Sequence, residues 1–180
     1  MRYLRTFLPW IAFAVIATNG DWRYGAPAAL LLAVWLLLSD LRAGHRADEL
    51  VMELSAALYF AAATAYSWAV PHSPLTAYGS ALSMGWLALT AWGSLAVRRP
   101  FTLGIARTMT PPELWDHPAF RRVNVVITAV WAASFTATAA ALWGLAAAAP
   151  HATAALIGVK VLGFAVPVVF TLRARKAAAA

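Results

Sequence analysis

The stretch from Phe120 to Arg173 reads FRRVNVVITAVWAASFTATAAALWGLAAAAPHATAALIGVKVLGFAVPVVFTLR, and it decides the fold class. Arg121, Arg122 and Arg173 stand at its ends, and between them Lys160 is the only formally charged side chain. Pro150-His151 divides it into two apolar runs, Phe120–Ala149 and Ala152–Arg173. Each is as long as the roughly 20 residues that carry a helix across a bilayer at about 1.5 Å of rise per residue. Working back toward the start of the chain, four more apolar runs appear: Tyr3–Thr18, Gly25–Ser39, Glu49–Val70 and Leu75–Val97. The latter two are long enough to span. The first two are short, which predicts tilted, thin or re-entrant segments. If both cross, or neither does, the N-terminus stays on the same side.

Composition points the same way. Of 180 residues, 62% are hydrophobic and 12% charged, and the mean hydropathy is +0.69. Soluble domains carry about 25% charge, and a soluble chain of this size keeps too much of its surface wet to hide so many apolar side chains. The solvent for that surface is lipid. Cysteine is absent, which excludes disulfides, thiol catalysis and thiolate metal sites. The net charge of +7 resembles a nucleic-acid signal, but its placement argues otherwise: the cations sit in a few connections beside apolar runs, where they set topology and meet anionic headgroups.

Those connections alternate. Arg2 and Arg5 precede the first run, Arg23 follows it, and Arg42 and Arg46 follow the second. Pro71–Pro74 has no Lys or Arg; the next connection has Arg98, Arg99, Arg107, Arg121 and Arg122; Pro150-His151 again has none; Arg173, Arg175 and Lys176 close the chain. Twelve basic residues fall on one set of alternate sides and one on the other. Basic residues stay on the cytoplasmic side, so the pattern predicts an all-α, polytopic membrane bundle of about six segments with both termini inside. The opening Met1-Arg2-Tyr3-Leu4-Arg5 could begin a signal peptide, but no small-x-small cleavage site precedes Asn19-Gly20-Asp21, so it is read as a retained first helix.

The long connection Arg98–Pro118 holds Phe101, Leu103, Ile105, Met109, Leu114 and Trp115, too apolar for a free loop. It is expected to lie in the cytoplasmic headgroup layer between the fourth and fifth helices, arginines up and apolar groups down. Thr110-Pro111-Pro112-Glu113 has the form of a capping box and predicts a short helix from Pro111, ended by Asp116-His117-Pro118.

Lys160 is the outlier among the apolar runs. One reading is an ion, proton or anionic-substrate site inside the bundle; the other is a stem that snorkels to the outer headgroups about 12 Å away. Glu53, with Glu49 one turn earlier, is the acidic candidate, either as a counterpart to Lys160 or as a first-turn acid favoured by the helix dipole. Asn124, Thr128, Trp131 and Phe135 share one helical face, and the Asn124 amide is expected to seek a partner on another helix. Ser80, Ser83, Leu87, Thr90 and Ser94 form a matching stripe, with glycines at 79, 85 and 93 permitting close approach. Both faces fit either packing by small residues or a lined cavity. Trp10, Trp22, Trp68 and Trp115 lie near segment ends and read as interface anchors. His72 and His151 follow prolines without nearby carboxylates, so no metal is expected. Asp40, Asp48 and Glu49 beside Arg42, His45 and Arg46 read as a solvated turn. No catalytic triad, phosphate loop, paired carboxylates or cofactor pattern is present.

Two phrases resemble the bacterial intracellular septation protein A family. One is Phe120-Arg121-Arg122-Val123-Asn124-Val125-Val126-Ile127-Thr128-Ala129-Val130-Trp131, similar to that family's Asn followed seven residues later by Trp at the head of a helix. The other is Val159-Lys160-Val161-Leu162-Gly163, similar to its Phe-Lys-x-x-Gly with Val in place of the aromatic; Arg99-Pro100-Phe101-Thr102-Leu103 is a further similar phrase. The likeness covers roughly the C-terminal half. It implies a small inner-membrane protein of cell-envelope maintenance and division, working through membrane partners without catalysis, with Asn124, Trp131, Lys160 and Gly163 as the residues carried over.

Two functions are therefore expected to compete. The first is a non-enzymatic inner-membrane protein that organises anionic lipids or membrane-protein partners through Arg98, Arg99, Arg107, Glu113, Arg121 and Arg122, with a homo-oligomer open. The second is a small transporter or channel whose pathway is lined by Lys160 and Asn124, with Thr128 and Glu53 as further intramembrane polar residues. Neither calls for a cofactor, a metal or nucleic acid.

Overall fold

Each apolar run is occupied by one long helix. The computed structural model describes residues 2–17, 22–45 and 49–179, with side chains from Arg5 to Lys176 within those ranges. Arg46, Asp48 and the polar turn at 19–21 lie outside the described residues, as does the Arg2 side chain. The helices are α1 (Arg2–Ile16), α2 (Trp22–Arg42), α3 (Val51–Ala69), α4 (Gly79–Ala96), α5 (Phe101–Arg107), α6 (Pro118–Ala148) and α7 (Thr153–Ala179), with short 3-10 turns at Pro74–Tyr78 and Pro112–Leu114. Among the described residues there is no strand.

Three helices, α2, α6 and α7, are long and apolar enough to cross a membrane, or four elements if α4 and α5, bent by 79°, count as one span. The second apolar run, expected to be short, is lengthened at both ends: α2 takes in Trp22-Arg23-Tyr24 and Asp40-Leu41-Arg42 to reach 21 residues, about 31 Å. Its inner face supplies the reason. Trp22, Ala26, Ala29, Ala33, Leu36 and Asp40 are all buried, so the polar ends are held by packing rather than by their own apolarity.

The chain divides into two helical units, Met1–Gly79 and Ser80–Ala180. In the first, α2 packs against both α1 and α3, and α1 touches α3. An aromatic core joins them: Trp10 meets Tyr59 and Phe60 at centroid distances of 5.0 and 4.8 Å, and Phe13 meets Phe60 and Trp22 at 5.4 and 5.9 Å. Trp10 and Trp22 are thus core residues, 4% and 5% exposed, and not interface anchors. The Trp22 indole N–H donates to the Thr76 carbonyl at 3.3 Å and lies where a side chain on Gly79 would have to go. Gly85 and Gly93, by contrast, face open space, so the close approach expected at three glycines is found at one.

In the second unit α6 and α7 form an antiparallel pair, 31 and 27 residues long, or about 46 and 40 Å. Trp131 reaches Thr171 near one end and Thr138 meets Gly163 further along, which fixes the register. Pro167 lacks the N–H that the Gly163 carbonyl would accept within α7. Ser134 on α6 supplies the replacement, its hydroxyl donating to Gly163 O at 2.9 Å. Phe135 and Trp131 close the seam against Phe164 at 5.6 and 6.3 Å.

The connection from α4 to α6 departs from expectation. Phe101, Thr102, Leu103 and Ile105, expected to turn their apolar groups down into lipid, form α5 and are buried, with α5 packed on α6. The expected helix from Pro111 is only the 3-10 turn Pro112–Leu114, capped by no side chain. Two causes act together. Pro112 pushes Pro111 into the extended region, where it is found at ψ 142°, and the apolar triplet 101, 103, 105 gains more by covering α6 than by facing solvent. α4 ends just before this in a left-handed residue, Arg98 at φ 58°. The Arg99 N–H donates back to Ser94 O at 2.8 Å and the Arg98 N–H to Leu95 O at 2.9 Å, the bond pair of a Schellman cap. Glycine normally fills that position; a side chain there costs about 1–2 kcal/mol.

Candidate functional site

Around the α4–α5 bend a buried hydroxyl network fixes α5. The Thr102 hydroxyl bonds the Asn124 carbonyl at 2.9 Å and the Thr128 hydroxyl at 2.7 Å, and the Phe101 N–H donates to Ser94 Oγ at 3.2 Å. Thr102 and Thr128 are fully buried, and Asn124 is nearly so. The Asn124 amide does not bridge helices as expected. It donates to Phe120 O one turn back in α6, and its Oδ1, buried, accepts from none of the described residues. The inter-element bonds run instead through the Asn124 backbone and Thr128, because a threonine on α5 reaches them first. Trp131, 1% exposed, donates its indole N–H to Thr171 Oγ1 at 3.0 Å, while Thr171 itself donates to Pro167 O at 2.7 Å. Of the small-polar stripe on α4, Ser83, Thr90 and Ser94 bond carbonyls of their own helix.

At this end of the second unit the basic side chains gather. Arg98 and Arg99 follow α4, Arg107 ends α5, Arg121 and Arg122 lie in the first turns of α6, and the antiparallel register brings Arg173, Arg175 and Lys176 of α7 to the same end. Arg121 Nη2 donates to the Arg98 carbonyl at 3.2 Å. Arg107 is half-buried and lies over the Trp115 ring, 5.4 Å from its centroid, and Trp115 Nε1 donates to Thr110 O. Glu113 is exposed. His117 caps α6, its ring nitrogen accepting from the Ala119 N–H, with Pro118 at the first helical position. The opposite end of the α6–α7 pair is the uncharged link 149–152.

Lys160 is half-buried on the face of α7 that carries Gly163, Phe164, Pro167 and Thr171, and so turns toward α6. It lies beyond the level of Thr138, about 20 Å along α6 from Asn124 at 1.5 Å per residue. The two are not brought together. Its Cα–Cβ bond, like every one in a helix, tilts toward the helix N-terminus, which for α7 is the uncharged end. Gly163 is needed where it is: a Cβ there would overlap the Thr138 hydroxyl and lie 2.9 Å from Thr138 Cγ2.

The first unit has a charged end of its own that the sequence did not disclose. Asp40, expected in a solvated turn, is 4% exposed and pairs with Arg5 at 2.9 Å, and Arg5 also donates to Ser39 Oγ at 3.2 Å. Glu53 is buried and accepts from the Thr6 hydroxyl at 2.8 Å, and His45 Nδ1 lies 3.5 Å from Glu49. Burial of the first turns of α1 and α3 against the end of α2 makes these pairs. His72 and His151 are each exposed, and among the described residues no three His, Cys, Asp or Glu side chains gather in a way that could hold a metal ion.

Fold and site together define an all-helical protein with three to four helices fit to cross a membrane, the architecture of a multi-pass membrane protein. Comparison with protein-family profiles, with curated proteins and with solved structures finds no match.

Proposed function

We propose that the chain is a six-span protein of a bacterial-type inner membrane, both termini in the cytoplasm, that organises anionic lipids or membrane-protein partners and catalyses no reaction. One observation carries the reading: the second unit crowds Arg98, Arg99, Arg107, Arg121, Arg122, Arg173, Arg175 and Lys176 at one end and has no charge in the link 149–152 at the other. Basic ends are held on the cytoplasmic side and attract anionic headgroups, each Lys or Arg near the surface contributing about 1 kcal/mol. On the likeness to the septation protein A family, we place the role in cell-envelope maintenance or division. Of the residues that carry that likeness, Trp131 and Gly163 tie α6 to α7, Lys160 turns toward the same seam, and Asn124 holds α5 through its carbonyl, as befits a scaffold.

Charge reversal tests the reading. The variant Arg98→Glu/Arg99→Glu/Arg107→Glu is expected to lose most of its attachment to anionic vesicles and its recovery of membrane partners in pull-downs. Unchanged attachment in both assays would refute it. Because the chain has no cysteine, a single one at Met109 or Ala152 reports topology directly: Ala152→Cys should react with an impermeant reagent in intact cells and Met109→Cys only after permeabilisation.

A further inference from the structure

The α4–α5 bend holds more positive charge than its surroundings balance. Arg98 and Arg121 come from different elements, yet the Arg121 guanidinium reaches the Arg98 carbonyl at 3.2 Å, and Arg99 and Arg122 are their chain neighbours. All four are exposed, and among the described residues none is ion-paired with a carboxylate. The second unit offers only Glu113 and Asp116 as acids. The contact brings the backbones of the two arginine pairs together, so four like charges share one stretch of surface; like charges favour an anion among them, and planar guanidinium forks match phosphate oxygens two at a time.

Arg98 adds a second observation. It occupies the left-handed cap position where glycine is the unstrained choice. The cap bonds are made by backbone N–H groups, and Arg99 one residue on already complements the helix dipole. The fold gains nothing from a side chain at 98, so what that side chain contributes lies outside the fold. A third observation names the chemistry of the ligand. Apolar surface begins directly beside the arginines: Val97 is 67% exposed, and Val125 and Val126 are 39% and 44% exposed. A phosphate flanked by exposed valines suits an amphiphile rather than a soluble anion.

We propose that Arg98, Arg99, Arg121 and Arg122 form a headgroup site for one anionic phospholipid, its phosphate held by the guanidinium groups and its acyl chains running along Val97, Val125 and Val126. The site rests on the reading that this basic end meets anionic lipid, and it makes that contact local and stoichiometric. The test is native mass spectrometry of the full chain titrated with phosphatidylglycerol in a mild neutral detergent, beside thermal melts. Arg98→Gly removes the strained side chain, so it should melt at or above the native temperature and yet bind the lipid at least fivefold more weakly. Arg173→Gln, at the same end but away from the bend, should weaken binding less than twofold. Should Arg98→Gly melt low, Arg122→Gln carries the same comparison from an unstrained helical position. Equal losses for the bend and Arg173 variants would overturn the site and leave only diffuse attraction, with the broader reading intact. Binding that does not distinguish phosphatidylglycerol from phosphatidylcholine would overturn both. Displacement of the lipid by inorganic phosphate or by an acidic peptide at equal concentration would overturn the assignment of a lipid ligand.

Discussion

Gly163→Ala should destabilise the protein although it places a better helix former in a helix. In isolation the exchange favours α7 by about 1 kcal/mol. Here the added methyl meets Thr138, overlapping its hydroxyl and approaching Cγ2 to 2.9 Å and Cβ to 3.1 Å. Thr138 cannot swing aside freely, because its hydroxyl is bonded to Ser134 O at 2.7 Å. Relief by moving α7 outward stretches the Ser134 bond to Gly163 O, the bond that replaces the one lost to Pro167. Overpacking of this kind costs about 1–3 kcal/mol and a weakened buried hydrogen bond about 1 kcal/mol more. The net expectation is a loss of about 1–3 kcal/mol, read by titrating the detergent-solubilised chain with SDS and following near-ultraviolet circular dichroism. The partner variant decides the cause. In a Thr138→Ala background the two tightest contacts are gone and the nearest is the 3.1 Å one to Cβ, which a shift of a few tenths of an ångström relieves, so Gly163→Ala should then be neutral or stabilising. The coupling between the two sites should reach about 1 kcal/mol or more. A Gly163→Ala single variant as stable as the native chain, or independent behaviour of the two substitutions, would refute the reasoning.

Two further outcomes follow from buried hydrogen bonds. Thr6→Val keeps the shape of the side chain but removes the donor to the buried Glu53 carboxylate; the expected loss is about 1.5–3 kcal/mol in the same titration, and much less of it should appear when Glu53 is already Gln. Trp131→Phe removes the indole N–H that reaches Thr171 and part of a ring packed against Phe101, Phe135 and Phe164; a loss of about 2–4 kcal/mol is expected, and one below about 0.5 kcal/mol would mean the seam does not depend on that ring.

The helices were legible because their cause is local: a run such as Val123–Val130 or Leu75–Val97 states its own preference for an apolar solvent, and prolines 71, 74, 118 and 150 punctuate the runs. What was missed depends on partners distant in the chain. Asp40 stands beside Arg42 in sequence and looks solvated, but its partner is Arg5, 35 residues away. The signal available was weak: an acid ending an apolar run and an arginine beginning another. Trp10 and Trp22 occupy positions near segment ends, where tryptophan favours an interface; the aromatic cluster of α1 and α3 draws them inward instead. Thr102 could not be found at all. It is one threonine in a segment whose capping motif pointed ten residues downstream, and only the packing of α5 on α6 sets it against Thr128. Asn124 was singled out for its amide, whereas it matters through a carbonyl that every residue has.

The carbonyl that Pro167 leaves open has a bearing on how the chain is made. Carried into lipid on an isolated α7, Gly163 O would meet no donor, and a bare backbone acceptor in hydrocarbon costs several kcal/mol. Ser134 lies on the helix synthesised first, and the intervening turn bears no ion to drag through the oily layer. The cheapest route is for α6 to wait beside the translocation channel until α7 emerges, and for the two to slip out together as one hairpin.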